Sequence, residues 1–281
     1  MPSPRSPVPK RCSPNVLVSN VSSLVTGNPN LKPEIANTLT YGAVYSPSWA
    51  PSLQVSVDYY DITINGAIST VSDQVGLDQC FAGVTSFCSL NTRDANGNLT
   101  QFRSSPINYS RLRTTGIDIE ASYRVPVGDW IKSWNGQLTL RGVANRVNKY
   151  VTSAPGLVTR DIAGSIIDSQ PKWRAQGIID YANGGFDITF MARYVGGGIY
   201  DVSRSPEQLG FRHVDSQTFF DGQISFDIPQ VKNGQFYLNV RNLSDTAPRI
   251  APSPGNLVMV TNPTLYDTVG RMFRVGVKLG F

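Results

Sequence analysis

Near the end of the chain Phe273, Val275, Val277, Leu279 and Phe281 alternate with Met272, Arg274, Gly276, Lys278 and Gly280. An extended backbone turns successive side chains to opposite sides, so this spacing gives one apolar face and one polar or small one. The same period recurs at Ile117, Ile119, Ala121 and Tyr123 against Asp118, Glu120, Ser122 and Arg124. It appears again at Phe186, Ile188, Phe190, Ala192 and Tyr194 against Asp187, Thr189, Met191 and Arg193, and around Phe220, Ile224 and Phe226. A soluble sandwich also alternates. These runs, however, extend to about ten residues, the length of a tilted membrane-crossing strand, where soluble strands average nearer five or six.

Turn chemistry divides the runs. Short connections are expected at 46–52, 126–135, 183–185 and 229–234, and long ones at roughly 65–105, 150–171, 196–213 and 246–269. Short turns on the periplasmic side and long loops outside are the rule for outer-membrane barrels. Tyr45, Trp49, Tyr123, Trp130, Trp134 and Trp173 fall at strand ends, where interfacial girdles stand. The segment 98–106 would put the long loop on the wrong side if it crossed the membrane, so it belongs to that loop. About nine strands remain, at 37–45, 53–64, 107–125, 136–149, 172–182, 186–195, 214–228, 235–243 and 270–281. The fold class is therefore all-β, an antiparallel transmembrane β-barrel. An odd set cannot close on itself in antiparallel fashion, and open edges in lipid leave backbone groups unpaired. The remaining strands must come from elsewhere.

Composition removes other classes. Hydrophobic residues make up 40% of 281 and no run approaches the roughly 20 apolar residues of a membrane helix. The net charge of +5 is spread singly along strands, so no nucleic-acid partner is expected. Neither is a signal peptide evident after Met1, and the expectation is a fragment or an internal start of a longer gene. Cys80 and Cys88 lie too far from His213, the one histidine, to suggest a zinc site. A disulfide in an oxidising compartment is favoured over two free thiols, leaving Cys12 over. No metal, cofactor or catalytic constellation is expected, and therefore no enzyme.

Several stretches resemble the TonB-dependent outer-membrane receptors. Gly27-Asn28-Pro29-Asn30-Leu31-Lys32-Pro33-Glu34 is similar to their GNP-x-LKPE motif, and Val57-Asp58-Tyr59-Tyr60-Asp61-Ile62 to their vDYYdI strand. Asn108 with Gly116-Ile117-Asp118 resembles a further strand, Val240-Arg241-Asn242-Leu243-Ser244-Asp245 a strand end, and Gly270 through Phe281 the closing strand. Residues 1–26 match poorly, so the expected division is an outer loop or non-native start there and barrel over 27–281. The loop pair Cys80 and Cys88, ahead of Thr92-Arg93-Asp94, resembles the branch associated with saccharides or other large nutrients.

The resemblance implies the C-terminal part of a barrel of roughly 22 strands in the bacterial outer membrane, its plug absent from this chain. It also implies import of a scarce nutrient such as a siderophore or oligosaccharide, with the TonB complex reached only through that plug. The competing expectations are a passive channel, a structural barrel or a non-functional truncated product. Phe273, Val275, Val277, Leu279 and Phe281 face outer-membrane lipid and resemble the signal read by the barrel-assembly machinery. Asp118, Glu120, Arg141, Arg174, Arg193, Asp221, Arg241 and Arg274 are expected on the lumen side, toward the plug, where buried polar groups need partners. Tyr150, Tyr200, Phe211, His213 and Tyr266, with Arg212 and Asp267, are the outer-loop residues suited to contact a ligand, although simple loop packing is the plainer role for each. Gly196-Gly197-Gly198 has the composition of a flexible strand end.

Overall fold

The computed structural model describes residues 21–70, 73–154, 158–229, 231, 233–252 and 259–279. Cys12, Gly280 and Phe281 lie outside them, so the expectations placed on these three find no test here. The chain divides into two compact units, one of 1–33 with 68–109 and one of 34–67 with 110–281.

The larger sheet holds nine strands that neighbour one another in chain order: β1 (Ile35–Tyr45), β2 (Leu53–Thr70), β3 (Pro106–Pro126), β4 (Gln137–Ser153), β5 (Trp173–Asn183), β6 (Phe186–Val195), β7 (Gln217–Asp227), β8 (Gln235–Arg241) and β9 (Met272–Lys278). A two-residue strand, Arg160–Asp161, adds to the upper end of β4. The registered pairs of this meander are antiparallel, as hairpin connections require. Gly184 and Gly185 form the tightest turn, both with positive φ (49° and 111°), and close β5 onto β6 through the pair Asn183 and Phe186. Two left-handed residues match the twist of a two-residue hairpin, and glycine adopts them without strain.

Directly paired residues share a face, so the register carries one side of the sheet from strand to strand. Asp118 pairs with Asn145, Asn145 with Arg174, and Arg174 with Val195. Met191 pairs with Asp221, Gln223 with Asn239, and Asn239 with Arg274. The opposite side is apolar and open to solvent: Leu39 is 60% exposed, Ile179 48%, Phe190 40%, Phe226 43%, Phe273 64% and Val275 62%. Stacked ring pairs Phe190–Phe220 and Phe226–Phe236 extend this surface, with centroids 5.5 and 5.0 Å apart. A soluble sheet would bury such a face; a membrane strand turns it to lipid. Trp134 and Tyr181 pack together beside the short turns, and Tyr41 and Tyr59 pack together within the β1–β2 pair.

In the smaller unit Leu99–Ser104 pairs in parallel with Ser22–Val25 and antiparallel with Asn91–Arg93. Within the segment 98–106, assigned to a loop, Leu99–Ser104 thus supplies a strand to this loop sheet, and only its last residue, Pro106, belongs to the large one. Helices α1 (Asp73–Phe81) and α2 (Thr85–Cys88) precede it, and Phe87 and Phe102 are its buried apolar side chains. The sulfurs of Cys80 and Cys88 are bonded, with Cα atoms 4.8 Å apart.

Candidate functional site

The eight charged residues Asp118, Glu120, Arg141, Arg174, Arg193, Asp221, Arg241 and Arg274 all fall on the polar face. Several pair with neighbours one strand away. Arg141 sits 2.7 Å from Glu120, Asn145 donates to Asp118 at 2.7 Å, and Thr189 donates to Asp180 at 2.6 Å. Arg174 donates to the Ser169 carbonyl, whereas Arg274 stands exposed.

At the loop end this face carries a linked charge cluster. Arg193 clamps Asp221 through Nε and Nη2 at 2.5 and 3.0 Å, lies over the Phe219 ring at 5.3 Å, and reaches Asp267 at 3.9 Å. Arg241 approaches the same Asp267 at 3.0 Å. The Asp267 side chain is 2% exposed and its Oδ2 has no well-angled hydrogen bond, so guanidinium charge is what compensates it. Asp267 comes from the β8–β9 connection, and the cluster therefore ties that loop down onto the wall.

Around this tie the long connections form the main apolar cluster of the sheet unit. Ile166, Val214, Phe219, Ala251, Leu265 and Tyr266 are buried together, with Val195 and Tyr200 against them. Val195 and Phe219 both belong to the polar side, in line with Arg174 and Arg193. The loops consequently pack over the polar face and leave the lipid side bare. Asn262 fastens the cover by donating to the Ile166 carbonyl and Ser169 Oγ, both at 2.9 Å.

This arrangement separates the five aromatic and imidazole residues proposed for ligand contact. Tyr266 is 3% exposed and belongs to the loop core, where burial raises its phenol pKa. Tyr200 donates to the Pro252 carbonyl and packs on Phe211 at 4.8 Å, its own pKa raised by burial first and by Asp201 second. Phe211 is 40% exposed and His213 is exposed beside Asp215 at 3.8 Å. Tyr150 lies elsewhere, its backbone N–H bound to Asp161. The triple glycine differs from a flexible end. A Cβ on Gly198 would strike the Gly164 carbonyl, one on Gly197 would come within 2.6 Å of the Val214 carbonyl, and Gly198–Ile199 pairs with His213–Val214. Glycine there permits close backbone packing.

The motif residues are architectural. Asn28 donates to the Pro106 carbonyl and accepts from the Asn30 N–H, while Asn108 holds the Lys32 backbone at both ends, each bond 2.8 Å. The turn falls at Pro29 and Asn30 and is closed by the Leu31 N–H on the Asn28 carbonyl at 3.4 Å, and Glu34 leads into β1. At the other end Asn242, fully buried with φ 53°, bonds Thr246 through both amide atoms, and Asp245 accepts the Arg271 N–H. These contacts end β8 and launch the last loop. Phe273, Val275, Val277 and Leu279 are all exposed, and β9 pairs with β8 alone among the described strands.

A one-layer antiparallel meander with an apolar outer face and loop-covered polar face is the wall of an outer-membrane barrel. The family described as TonB dependent receptor-like, beta-barrel matches residues 6–243, and the chain belongs to it. Among solved structures it is similar to the FrpB iron transporter of Neisseria meningitidis (TM-score 0.55, 15% identity, 90% of this chain and 32% of that one). A ferric enterobactin receptor of Pseudomonas aeruginosa in complex with enterobactin matches at 0.54 and 14% identity, over 90% and 32%. The siderophore receptor PirA of Acinetobacter baumannii matches at 0.53 and 13%, over 92% and 33%. The chain thus spans about a third of the length of these proteins. No curated protein sequence matches it.

Proposed function

We propose that the chain is the C-terminal wall of an outer-membrane receptor that imports a ferric siderophore. The observation that carries this reading is the loop cover tied across the polar face by Asp267, Arg193 and Arg241. Such a cover presents Phe211, Arg212 and His213 at its exposed rim, aromatic and cationic groups suited to an anionic, ring-bearing chelate. The solved relatives handle iron or its chelates, which favours a siderophore over the saccharide suggested by the cysteine loop. In this reading the eight charged residues of the polar face hydrogen-bond a plug that lies outside the chain. Energy arrives from TonB through that plug, and missing barrel strands complete the wall. The alternating β9, with Phe281, is the strand read by the barrel-assembly machinery.

Growth under iron limitation tests the reading. A strain lacking the intact gene should lose growth on one ferric siderophore and keep growth on oligosaccharides, and in the strain that carries the gene uptake of that siderophore should cease once the proton-motive force is collapsed. Uptake that survives the collapse would point to a passive channel instead.

A further inference from the structure

The smaller unit rests on few apolar contacts. Its helices α1 and α2 pack on each other, and α1 touches the strand Leu99–Ser104. Nine residues form α1, with Gly76 inside it, and four form α2, whereas an isolated helix shorter than roughly 12–15 residues is marginal in water. Among the described residues of the two helices only Phe87 buries an apolar side chain, and Phe81 at the end of α1 is 83% exposed. Burial of so little apolar surface does not by itself offset the entropy of ordering the stretch 73–88.

The bond between Cys80 and Cys88 supplies the difference. It joins the end of α1 to the end of α2 over a sequence separation of 8 and so removes much of the freedom of the open chain. Order then passes from α2 to the sheet: the Asn91 amide donates to the Phe87 carbonyl at 3.3 Å, and the Arg103 N–H donates to the Leu90 carbonyl at 2.8 Å. Phe102, with 0% exposure, faces Asn91 in the strand register. A separate set of bonds holds the unit where the chain enters and leaves it. The Thr26 N–H donates to the Ser104 carbonyl at 3.1 Å, the Asn28 amide donates to the Pro106 carbonyl at 3.0 Å, and Asn108 holds Lys32. These bonds bypass the helices, so the two halves of the unit are separable. Both cysteines are half-buried, within reach of a small reagent.

We propose that the Cys80–Cys88 bond is a thiol–disulfide exchange site that switches the 73–93 segment between an ordered and an open form, with a small thiol in the surroundings as its reactant. A small thiolate attacks one cystine sulfur, the S–S bond breaks, and the other cysteine leaves as a thiolate. A second small thiol then attacks the mixed disulfide, so two cysteine thiols form as two small thiols are oxidised to one small disulfide, and the protons pass between them through solvent. Without the link α1 and α2 melt and Phe87 and Phe102 become exposed, while the bonds at Thr26, Asn28 and Lys32 persist. Oxidation closes the segment again. The switch lies within the smaller unit and is independent of what the receptor imports.

The test uses the 281-residue chain carrying Cys12→Ser in mild detergent, so that no third thiol can exchange with the pair. Hydrogen exchange is read with the bond intact, after treatment with cysteamine, and after reoxidation. Exchange at the Phe87, Leu90 and Arg103 amides should quicken at least about tenfold on reduction and recover on reoxidation, while Thr26, Lys32 and the β4–β6 amides change less than about twofold. Mass spectrometry of the acid-quenched reaction should show cysteamine bonded to Cys80 or Cys88. Unchanged exchange at the three amides after complete reduction would mean that packing alone holds the helices. Loss of protection in β4–β6 as well would make the bond a support of the wall, and a bond that yields to cysteamine only in denaturant would be a sealed structural link. Any of these three results overturns the switch. Cys80→Ser with Cys88→Ser should show the reduced pattern without thiol. Should that variant fail to fold, reduction of the folded chain decides alone.

Discussion

Gly116 shows how a single missing side chain positions a wall. A Cβ there would collide with the Tyr60 ring, which crosses the strand so that its hydroxyl accepts from Asn145 at 3.2 Å. Gly276 lies under Tyr237 in the same manner. Alanine normally stabilises a strand relative to glycine, but overpacking should reverse the sign here and cost about 1–3 kcal/mol. A Cβ on Gly116 would also strike the Arg146 backbone carbonyl, whereas one on Gly276 meets only the Tyr237 side chain, so the clean test is at Gly276. Urea unfolding in lipid vesicles should show Gly276→Ala destabilised, with the penalty largely gone when Tyr237→Ala is also present, and an equal penalty in both backgrounds would disprove the ring contact. A second residue-scale prediction concerns Asp94, whose carboxylate accepts from Asn96 N–H, Asn98 N–H and the Asn98 amide at 2.9, 2.8 and 3.0 Å. Bonding by Asn98 holds its pKa below the ordinary carboxylate value. The turn is thus fully supported above that ordinary value, about 3.9, and loses support as pH falls through the lowered one. Exchange of the Asn96 and Asn98 amides should be constant from pH 7 to 5 and, corrected for intrinsic rates, accelerate below about pH 4.

At the scale of elements the β8–β9 loop depends on Asp267. Replacing it with Asn leaves Arg193 and Arg241 without their shared carboxylate, at a cost of about 2–4 kcal/mol that falls on the loop contacts. Asp267→Asn should make the 246–271 connection several-fold easier to cleave by protease while β4 to β7 keep their protection. Cleavage at the original rate would mean that the apolar cluster alone holds the cover. This cover was not legible in the sequence, because its contacts join distant residues such as Asn262 and Ile166, and no period or motif encodes them. The nine strands were legible for the opposite reason: each carries its own alternation, and connection length fixes its direction. Their ends shifted by a few residues, as with β2 reaching Thr70 and β8 stopping at Arg241, where Asn242 turns left-handed. Helix α1 escaped notice inside a stretch of Gly, Ser and Asn without apolar periodicity. The bulge in β4 escaped too, since simple alternation places Lys149 in step with Val147 on the polar side.

For the molecule as a whole the open path of strands has an energetic consequence. Among the described residues β1 neighbours only β2, and β9 neighbours only β8. Each edge presents backbone N–H and C=O groups that in lipid cost several kcal/mol apiece when unpaired, so complementary strands are required on both sides. Nine strands joined edge to edge would bring β1 and β9 together in parallel, a pairing absent from the rest of the wall. Central strands are bonded on both flanks whatever happens at the edges, which separates the two parts of the sheet in stability. In detergent, amides of β4, β5 and β6 in the 281-residue chain should therefore exchange at least about a hundredfold more slowly than those of β1 and β9. Supplying the N-terminal strands of a related barrel in trans should slow the edges selectively, because only they gain partners. Uniform protection across all nine strands in the chain alone would mean that the edges already meet, and the wall would then be a closed barrel in its own right.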